Sequence, residues 1–260
     1  MVNPTRGVLY PERLPQFHRF PAQGPVGELV VWFWIPVWDI EEGRSSRQEI
    51  VAYPALNLVV EGGRVSLSGA STRASHRDLQ GRGWAVGALL RPAAVAALAE
   101  DPASLRDTEH LLHEPGLADI VAEAMASGES GPERAAAVLG DWLRERVGEV
   151  GDTGRHANAM ADLLMTDASI RSPEQAAARL AVSTRTLQRM AHRYVGLAPA
   201  AMIRRRRLQE AAESIRRDPG TDLASLAAEL GYADHAHLTT EFRTVLGFTP
   251  SAYRAEVAPR

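Results

Sequence analysis

The stretch that decides the fold is residues 223–243, LASLAAELGYADHAHLTTEFR. Its apolar residues recur every three to four positions as far as Leu230, which is typical of a helix with one buried face. Gly231 then interrupts the pattern. Asp234 can cap a second helix, because its carboxylate can accept hydrogen bonds from the free N–H groups of a first turn. The stretch therefore predicts two short helices joined by a tight turn.

The two histidines of this stretch raise the alternative of a metal site. His235 and His237 are two residues apart, so on a helix their side chains point about 200° from each other, whereas helical metal pairs use spacings of three or four. His237 and Glu241 have a spacing of four, but the sequence shows no third ligand. We therefore expect no metal and no cofactor here. Exposed polar positions on a helix are the plain alternative for each histidine.

The same pattern occurs twice, because the C-terminal region matches itself when it is shifted by 51 residues. The shift places Leu187 on Leu238, and it places GLAPA at 196–200 on GFTPS at 247–251. We expect this single offset to fit both copies without a gap. Each copy would then be a short helix, a turn and a second helix, the arrangement in which the second helix enters a DNA major groove.

The ends of these helices follow from capping residues. The predicted helices are 173–180, 184–194, 223–230 and 235–246, capped by Ser172, Ser183, Asp222 and Asp234. Between the copies lies PAAMIRRRRLQEAAESIRR, at 199–217. As a helix of about 18 residues it would span ~27 Å, which could hold two reading helices near the ~34 Å separation of successive major grooves. Arg204 to Arg207 follow one another at ~100° steps, so they cannot all face DNA.

At these residues the sequence resembles the AraC/XylS family of bacterial transcription regulators. The matching text runs from Arg206 to Arg254 and contains Leu226-Ala227, Gly231-Tyr232, Phe242-Arg243 and the closing GFTP with Tyr253-Arg254. The resemblance covers about 155–260. It implies a seven-helix domain in which a long helix joins two helix-turn-helix units. It also implies double-stranded DNA as a partner, and RNA polymerase as a further partner if the protein is an activator.

The repeat and the resemblance together predict which side chains contact DNA. They are Ser183, Arg185, Thr186, Gln188, Arg189 and Arg193 in copy one, and His235, Ala236, His237, Thr239, Thr240 and Arg243 in copy two. Arginine can bind guanine with two hydrogen bonds and glutamine can pair with adenine, whereas Arg193 lies a turn further and suits phosphate. Relatives often carry arginine where Thr240 stands, and Glu241 would repel phosphate. We therefore expect copy one to dominate sequence reading. A solvated helix face is the plain alternative.

The N-terminal half has the pattern of a small sheet. VVWFWIPVWD at 30–39 is apolar at both alternating positions, as in a strand buried on both faces. Gly62-Gly63 between two apolar runs indicates a hairpin, since glycine accepts positive φ. We expect a sheet sandwich or barrel over 28–91, then helices at 92–100, 117–126 and 132–149, with GDTG at 151–154 as a linker.

This half is also similar to a sensor-type domain found on relatives within the AraC/XylS family. The phrases that carry the similarity are VVWFWIPVWD, YPALNLVVEGG and GRGWAVGALLRPAA. A cupin-like β fold is implied by analogy with the wider family. A small-molecule pocket would draw on aromatic side chains with a few polar anchors, and the candidates are Trp32, Trp34, Tyr53, Asn57, Trp84 and Arg91. Core packing is the plain alternative for each tryptophan.

Composition limits the remaining classes of protein. The absence of cysteine excludes disulfides, thiolate catalysis and Cys-ligated zinc. No apolar run reaches the ~18–20 residues of a membrane span, and the first residues show no secretory signal, so we expect a cytoplasmic protein without membrane contact. Residues 172–260 carry 13 Arg against 9 acidic residues, whereas 1–171 carry 16 Arg against 23. This asymmetry favours a polyanionic partner for the C-terminal part.

Together these observations predict an α+β protein with a β-rich sensor domain at 1–114, a helical dimerisation or linker segment at 115–150 and an all-α DNA-binding domain at 151–260. We expect a sequence-specific transcription regulator that responds to a small-molecule effector. We expect no enzyme and no catalytic residues, because G-x-S-x-G, P-loop and G-x-G-x-x-G motifs are missing. Two alternatives stay open. One is a cupin-type metalloenzyme fused to a DNA-binding domain. The other is a ligand-independent dimeric DNA binder whose homodimer contacts would be Leu139, Trp142 and Leu143 in helix 132–149.

Overall fold

The structure is a computed structural model that describes residues 16–50, 53–73 and 75–258, and it has the predicted α+β character. The strands are β1 (Gln16–Pro21), β2 (Val30–Asp39), β3 (Ser46–Ile50), β4 (Asn57–Glu61), β5 (Arg64–Ser68), β6 (Ser75–Leu79), β7 (Arg82–Leu90) and β8 (Glu109–Leu112). The helices are α1 (Pro92–Leu98), α2 (Leu117–Met125), α3 (Gly131–Val147), α4 (Asp152–Thr166), α5 (Pro173–Arg179), α6 (Thr184–Val195), α7 (Pro199–Arg217), α8 (Leu223–Glu229), α9 (His235–Leu246) and α10 (Pro250–Val257). Within the described ranges, no helix is both long enough and apolar enough to span a membrane.

Six strands form one antiparallel sheet in the order β1-β2-β7-β4-β5-β8, and β3 pairs with β6 in a separate two-stranded sheet. In the described residues the larger sheet is open, with β1 and β8 at its edges, so it does not close into the barrel that was one of the two expectations. Leu79 of the small sheet packs with Val59 and Trp38 on one face of the large sheet. The opposite face is covered by α2 and α3.

Strand β2 lies inside the sheet and is buried on both faces, as its sequence predicts. Phe33 and Ile35 face the helices, whereas Trp34 and Trp38 face the small sheet. The indoles of these two tryptophans cross the neighbouring strand at glycines. A Cβ built at Gly87 would lie 2.0 Å from the Trp34 ring, so glycine is required there for the indole to lie against the sheet.

The hairpin between β4 and β5 is confirmed. Gly62 and Gly63 have φ values of 55° and 73°, and Glu61 pairs with Arg64 across the turn. Two positive φ angles in a two-residue loop match the twist of the flanking strands, which explains why two glycines occupy it.

The C-terminal region has two separate cores, one in each helix-turn-helix copy. The first is built from α4, α5, α6 and the start of α7, and it also includes Ala70 from the N-terminal half. The second is built from the end of α7 with α8, α9 and α10, and its central residues are Leu238, Phe242 and Tyr253. Helix α7, whose bounds are those predicted, therefore belongs to both units.

The predicted caps are confirmed, but the single offset of 51 residues is wrong. Ser183 and Asp234 cap the second helices at that offset. The first helices and their turns align at an offset of 50 instead. Ala181 and Gly231 both have positive φ, at 53° and 75°, and the residue after each donates to the carbonyl five residues earlier. Copy two has one extra residue, Ala233, between its turn and its second cap.

Two further expectations are corrected. GDTG at 151–154 is not a linker, because Asp152 begins α4 and places an acidic residue at its positive N-terminal end. Leu139 and Leu143 are not dimer contacts, because both are fully buried between α3 and the sheet of the same chain. Trp142 packs against that core from a partly buried position.

Candidate nucleic-acid interface and interdomain cavity

The first half of α6 presents three long polar side chains to solvent. Arg185, Gln188 and Arg189 are exposed, and no hydrogen bond or ion pair ties them to another described residue. The opposite face of the helix is anchored by Leu187, which is fully buried. Three extended donors on a capped and anchored helix can reach the edges of bases in a groove.

The two ends of α6 differ in their contacts, because the first turn is capped and the last turn is partly exposed. Ser183 accepts a hydrogen bond from the Thr186 backbone N–H at 3.1 Å, and the two hydroxyl oxygens lie 3.0 Å apart. In the last turn His192 and Arg193 are exposed, whereas Tyr194 is buried. His192 was not predicted as a contact, although it is exposed beside Arg193.

Helix α9 presents shorter side chains, and several of them are already bonded. His235, Ala236, Thr240 and Arg243 are exposed. The Thr240 hydroxyl donates to the Ala236 carbonyl at 2.9 Å, and the half-buried Thr239 lies 3.4 Å from the His235 ring. A hydroxyl bonded to its own helix has less capacity for a base edge. Helix α9 therefore offers fewer free side-chain donors than α6, and the dominance of copy one in sequence reading stays a prediction.

His237 and Glu241 belong to a cluster at the surface of the second unit, where His237 is exposed and Glu241 is half-buried. The His237 ring stands edge-on to Tyr232 with centroids 5.3 Å apart, and its Nε2 lies 3.8 Å from a Glu241 carboxylate oxygen. The Glu241 side chain is only 19 % exposed. Its carboxylate is turned toward His237 and Tyr232, and the expected repulsion of phosphate by Glu241 stays a prediction. Burial raises the pKa of Tyr232, and the charge of Glu241 adds to that rise.

The four arginines of the linker helix point in four directions, as their spacing predicts. Arg204 is exposed, Arg205 contacts the N-terminal half, and the buried Arg206 donates to the Ile170 carbonyl at 2.6 Å. Arg207 lies over the Tyr232 ring at 3.8 Å. Only the first of the four is available to a polyanion.

Replacing Arg189 with alanine should weaken binding to the preferred DNA site by about 1–3 kcal/mol and relax preference at one base pair. Replacing Arg193, at the phosphate-facing end, should weaken binding to all sequences about equally and lower the salt dependence. Affinities measured over a panel of single-base-pair variants at two salt concentrations distinguish the two roles. The same uniform loss for both variants would contradict them.

A cavity of about 420 Å³ lies between the N-terminal half and the C-terminal helices. One wall carries Trp32 and Tyr53, whose ring centroids are 5.1 Å apart in an edge-on contact. The facing wall comes from α4, from Tyr194 and Val195 at the end of α6, and from Glu213 of α7. The cavity therefore borders the end of α6, the second helix of the first unit.

An ion pair spans the same cavity. The Arg91 guanidinium nitrogen Nη1 donates to both carboxylate oxygens of Asp162, at 2.9 and 2.8 Å. Arg91 precedes α1 and Asp162 lies on α4, so the pair joins the two halves of the chain. Beside it Asn158 accepts from the Ala93 N–H at 2.9 Å and donates to the Glu28 carbonyl at 2.8 Å.

The structure brings together only part of the predicted ligand set. Trp32, Tyr53 and Arg91 line the cavity, whereas Trp34 donates to Asn57 at 3.0 Å on the face covered by the small sheet. Trp84 packs against the core on the opposite face of the sheet. Sequence reasoning missed the cavity residues contributed by the C-terminal helices, because periodicity does not show which helix covers the sheet domain. They include Asp162, Met165, Tyr194 and Glu213.

Two family models match the chain. Residues 176–256 match a model described as a helix-turn-helix domain, and residues 18–111 match one described as a domain of unknown function (DUF6597). No curated protein matches the chain.

Several solved structures resemble the chain at low identity. ToxT from Vibrio cholerae with a bound unsaturated fatty acid has 12% identity over 88% of this chain and 98% of its own, with a TM-score of 0.43. CdpR from Pseudomonas aeruginosa has 20% identity over 67% of this chain and 46% of its own, with a TM-score of 0.32. The AraC-like transcriptional activator CuxR has 13% identity, 77% and 87% coverage, and a TM-score of 0.31. Likenesses this distant identify neither a ligand nor a DNA sequence for this chain.

Proposed function

We propose that this chain, which joins a helix-turn-helix domain of the AraC type to an N-terminal domain of unknown function, is a transcription regulator whose DNA binding responds to a small molecule held between its two halves. The observation that carries the proposal is the cavity that Trp32 and Tyr53 share with the end of α6. A ligand there would touch the helix that presents Arg185, Gln188 and Arg189. Ligand binding in the cavity and DNA binding would then both act on helix α6.

The ligand must suit the walls of the cavity. Its volume of about 420 Å³ lies within the ~300–1,000 Å³ of small-molecule sites. The walls are largely apolar, and the polar groups concentrate around Arg91, Asp162 and Glu213. We therefore infer a ligand with an apolar body and a polar group that competes for the Arg91–Asp162 ion pair. Such competition would loosen a contact between the two halves.

DNA binding is tested by selecting duplexes from a random library with the full chain, followed by a salt titration. We expect a preferred sequence and an affinity that falls steeply with salt, since arginines displace counterions from phosphates. The decisive control is a variant with Arg185, Gln188 and Arg189 replaced by alanine. A chain that selects no sequence, or whose preference survives in this variant, would refute the proposed reading helix.

Ligand binding is tested by filling the cavity from α4. Ala161→Phe places a ring into the cavity, whereas Ala159→Phe changes an exposed position of the same helix. Compounds are screened by the shift in melting temperature of the full chain, where a ligand at 100 times its Kd stabilises by about 2.7 kcal/mol. We expect Ala161→Phe to abolish the shift and to retain DNA binding, and Ala159→Phe to behave as the wild type. A hit that Ala161→Phe still binds would place the ligand elsewhere.

Homodimerisation, contact with RNA polymerase and a cytoplasmic location remain part of the proposal for a regulator of this type. Leu139 and Leu143 are buried in the core of the same chain, and Trp142 packs against it, so a dimer would form through another surface. In the described residues Leu111 on the edge strand β8 is 67 % exposed and Ile120 on α2 is 45 % exposed. Sedimentation of the chain with and without DNA would establish whether it associates.

A further inference from the structure

Two loops of the N-terminal half form a surface on which the first helix-turn-helix unit rests. We call residues 69–73 and 101–108 the docking loops. The Gly69 N–H donates to the Thr108 carbonyl at 3.0 Å, and a Cβ at Gly69 would lie 1.8 Å from the Leu105 carbonyl oxygen. The loops therefore lie in direct contact. Ala70 between them is fully buried in the core of the first unit.

The docking loops also touch the end of α6. Gly196 ends this helix with a φ of 77°, in the left-handed region that glycine accepts. A Cβ added at Gly196 would lie 2.5 Å from the Pro102 carbonyl oxygen. The backbone at the end of the reading helix is thus pressed against the N-terminal half, with no side chain between them.

The third contact is a buried arginine. Arg205 of α7 is 4 % exposed, and its Nη2 donates to the Ser71 carbonyl at 2.9 Å. Burial lowers the pKa of Arg205 to about 10, while the charge of Asp107 acts in the opposite direction. The guanidinium therefore remains charged at neutral pH.

Asp107, in the same docking loops, is the acid whose negative charge acts on this guanidinium. Its carboxylate accepts from the Thr72 backbone N–H at 2.7 Å and from the Thr72 hydroxyl at 2.6 Å. Burial alone would raise the pKa of Asp107, but the hydrogen bonds from Thr72 and Ser71 outweigh it and hold the pKa below its usual range. Asp107 has a φ of 57°, which aspartate tolerates better than most residues. The loop is thus arranged to hold an ionised acid near the linker helix.

Among the described residues, the second unit shows no comparable attachment to the N-terminal half. Its core contains only residues from Leu208 onward. It is held to the linker by Arg207 over Tyr232, and to the first unit by Arg171, whose guanidinium donates to the Glu229 carbonyl at 3.1 Å. The N-terminal half therefore grips the first unit and the linker helix.

We infer that Arg205 is a positioning residue through which the N-terminal half and DNA binding by the first helix-turn-helix unit are coupled. The inference rests on the proposed DNA-binding function. Coupling between two sites is reciprocal, so DNA bound at α6 must alter the docking loops if the docking loops alter DNA binding. Arg205 joins them through the hydrogen bond of its charged guanidinium to the Ser71 carbonyl, from the first half of the linker helix.

The test measures hydrogen exchange of the full chain with and without a duplex selected by the wild type. We expect DNA to slow exchange in the docking loops by about fivefold or more, the lower end of common coupling strengths. Arg205→Met should remove this slowing while α6 itself is still protected by DNA. Arg217→Met removes the same charge from an exposed position at the end of the same helix and should leave the slowing intact. A purely structural role for Arg205 would change exchange equally with and without DNA.

Two milder variants keep the inference testable if Arg205→Met does not fold. Arg205→Lys retains the charge and should preserve part of the response, whereas Asp107→Asn removes the facing charge and should reduce it. The inference would be overturned if DNA did not slow hydrogen exchange in the docking loops of the wild type, or if Arg205→Met showed the full slowing. Either result would leave the proposed function unaffected. A wild type that selects no duplex overturns the proposed function itself, and the inference with it.

Discussion

An Arg206→Met variant is expected to lose about 3–5 kcal/mol of unfolding free energy in the C-terminal region, the cost of removing one partner from a buried charged network. Arg206 is 1 % exposed, its guanidinium donates to the Asp167 and Ile170 carbonyls, and its Nε lies 3.4 Å from Glu210. Methionine keeps the length of the side chain but leaves these buried and half-buried acceptors without the donor that Arg206 supplies. Each unsatisfied acceptor costs about 1–3 kcal/mol.

The loss is measured by urea unfolding followed by circular dichroism, which reports the helices. The matched control is Arg204→Met, because Arg204 is exposed on the same helix and a surface change of this kind stays within about 0.5 kcal/mol. Unfolding curves that shift by the same amount in both variants would show that helix propensity or net charge, rather than the buried hydrogen bonds, determines the effect.

Phe242→Ala is expected to unfold the second helix-turn-helix unit ahead of the rest of the chain. Phe242 is fully buried, and its ring lies 5.9 Å from that of Phe248 and 6.1 Å from that of Tyr253. Replacing a buried phenylalanine with alanine costs about 3–5 kcal/mol. The second unit has its own core, so only its own free energy of unfolding should decrease. With a urea dependence of about 2 kcal/mol per molar, its midpoint should fall by about 2 M.

The distribution of tryptophan makes this prediction easy to check. All five tryptophans lie at or before Trp142, so tryptophan fluorescence reports only the N-terminal part, whereas circular dichroism reports every helix. The early transition in Phe242→Ala should appear by circular dichroism without a change in fluorescence. Thr244→Ala, at an exposed position of the same helix, is the control. If both signals move together in Phe242→Ala, the second unit is not an independent cooperative unit.

The sequence predicts those parts of the fold that depend on local chemistry. The linker helix 199–217 has the predicted bounds, and Ser172, Ser183, Asp222 and Asp234 cap the predicted helices. Helix capping and amphipathic spacing involve residues only a few positions apart, so both can be recognised in the amino-acid sequence. Exposure of Arg185, Gln188 and Arg189 follows from the same spacing. Their contact with DNA stays a prediction.

Features that depend on contacts between residues far apart in the chain could not be predicted from the sequence. Strand β3, SRQEI, is polar throughout most of its length, and β8 has only four residues, so neither shows the alternation that indicates a strand. The cavity depends on which helices cover Trp32 and Tyr53. The contact of Arg205 depends on the Ser71 carbonyl, and a backbone acceptor has no signature in side-chain chemistry. The extra residue Ala233 was missed because two copies that differ by one inserted residue still align at most of their matching positions.

Consecutive arginines that serve different neighbours constrain how this protein can evolve. Arg205 is committed to the N-terminal half, Arg206 to the first unit and Arg207 to the second. A single residue inserted ahead of them in α7 would turn Arg205 and Arg206 by about 100° and advance them by about 1.5 Å relative to their partners, so both contacts would fail, whereas Arg207 would move together with Tyr232. Insertions of about seven residues, close to two whole turns, would restore the directions but add about 10 Å. Genetic drift in the distance between the two helix-turn-helix units is therefore blocked in small steps, and a lineage that needs a different spacing must rebuild the linker or recruit another regulator.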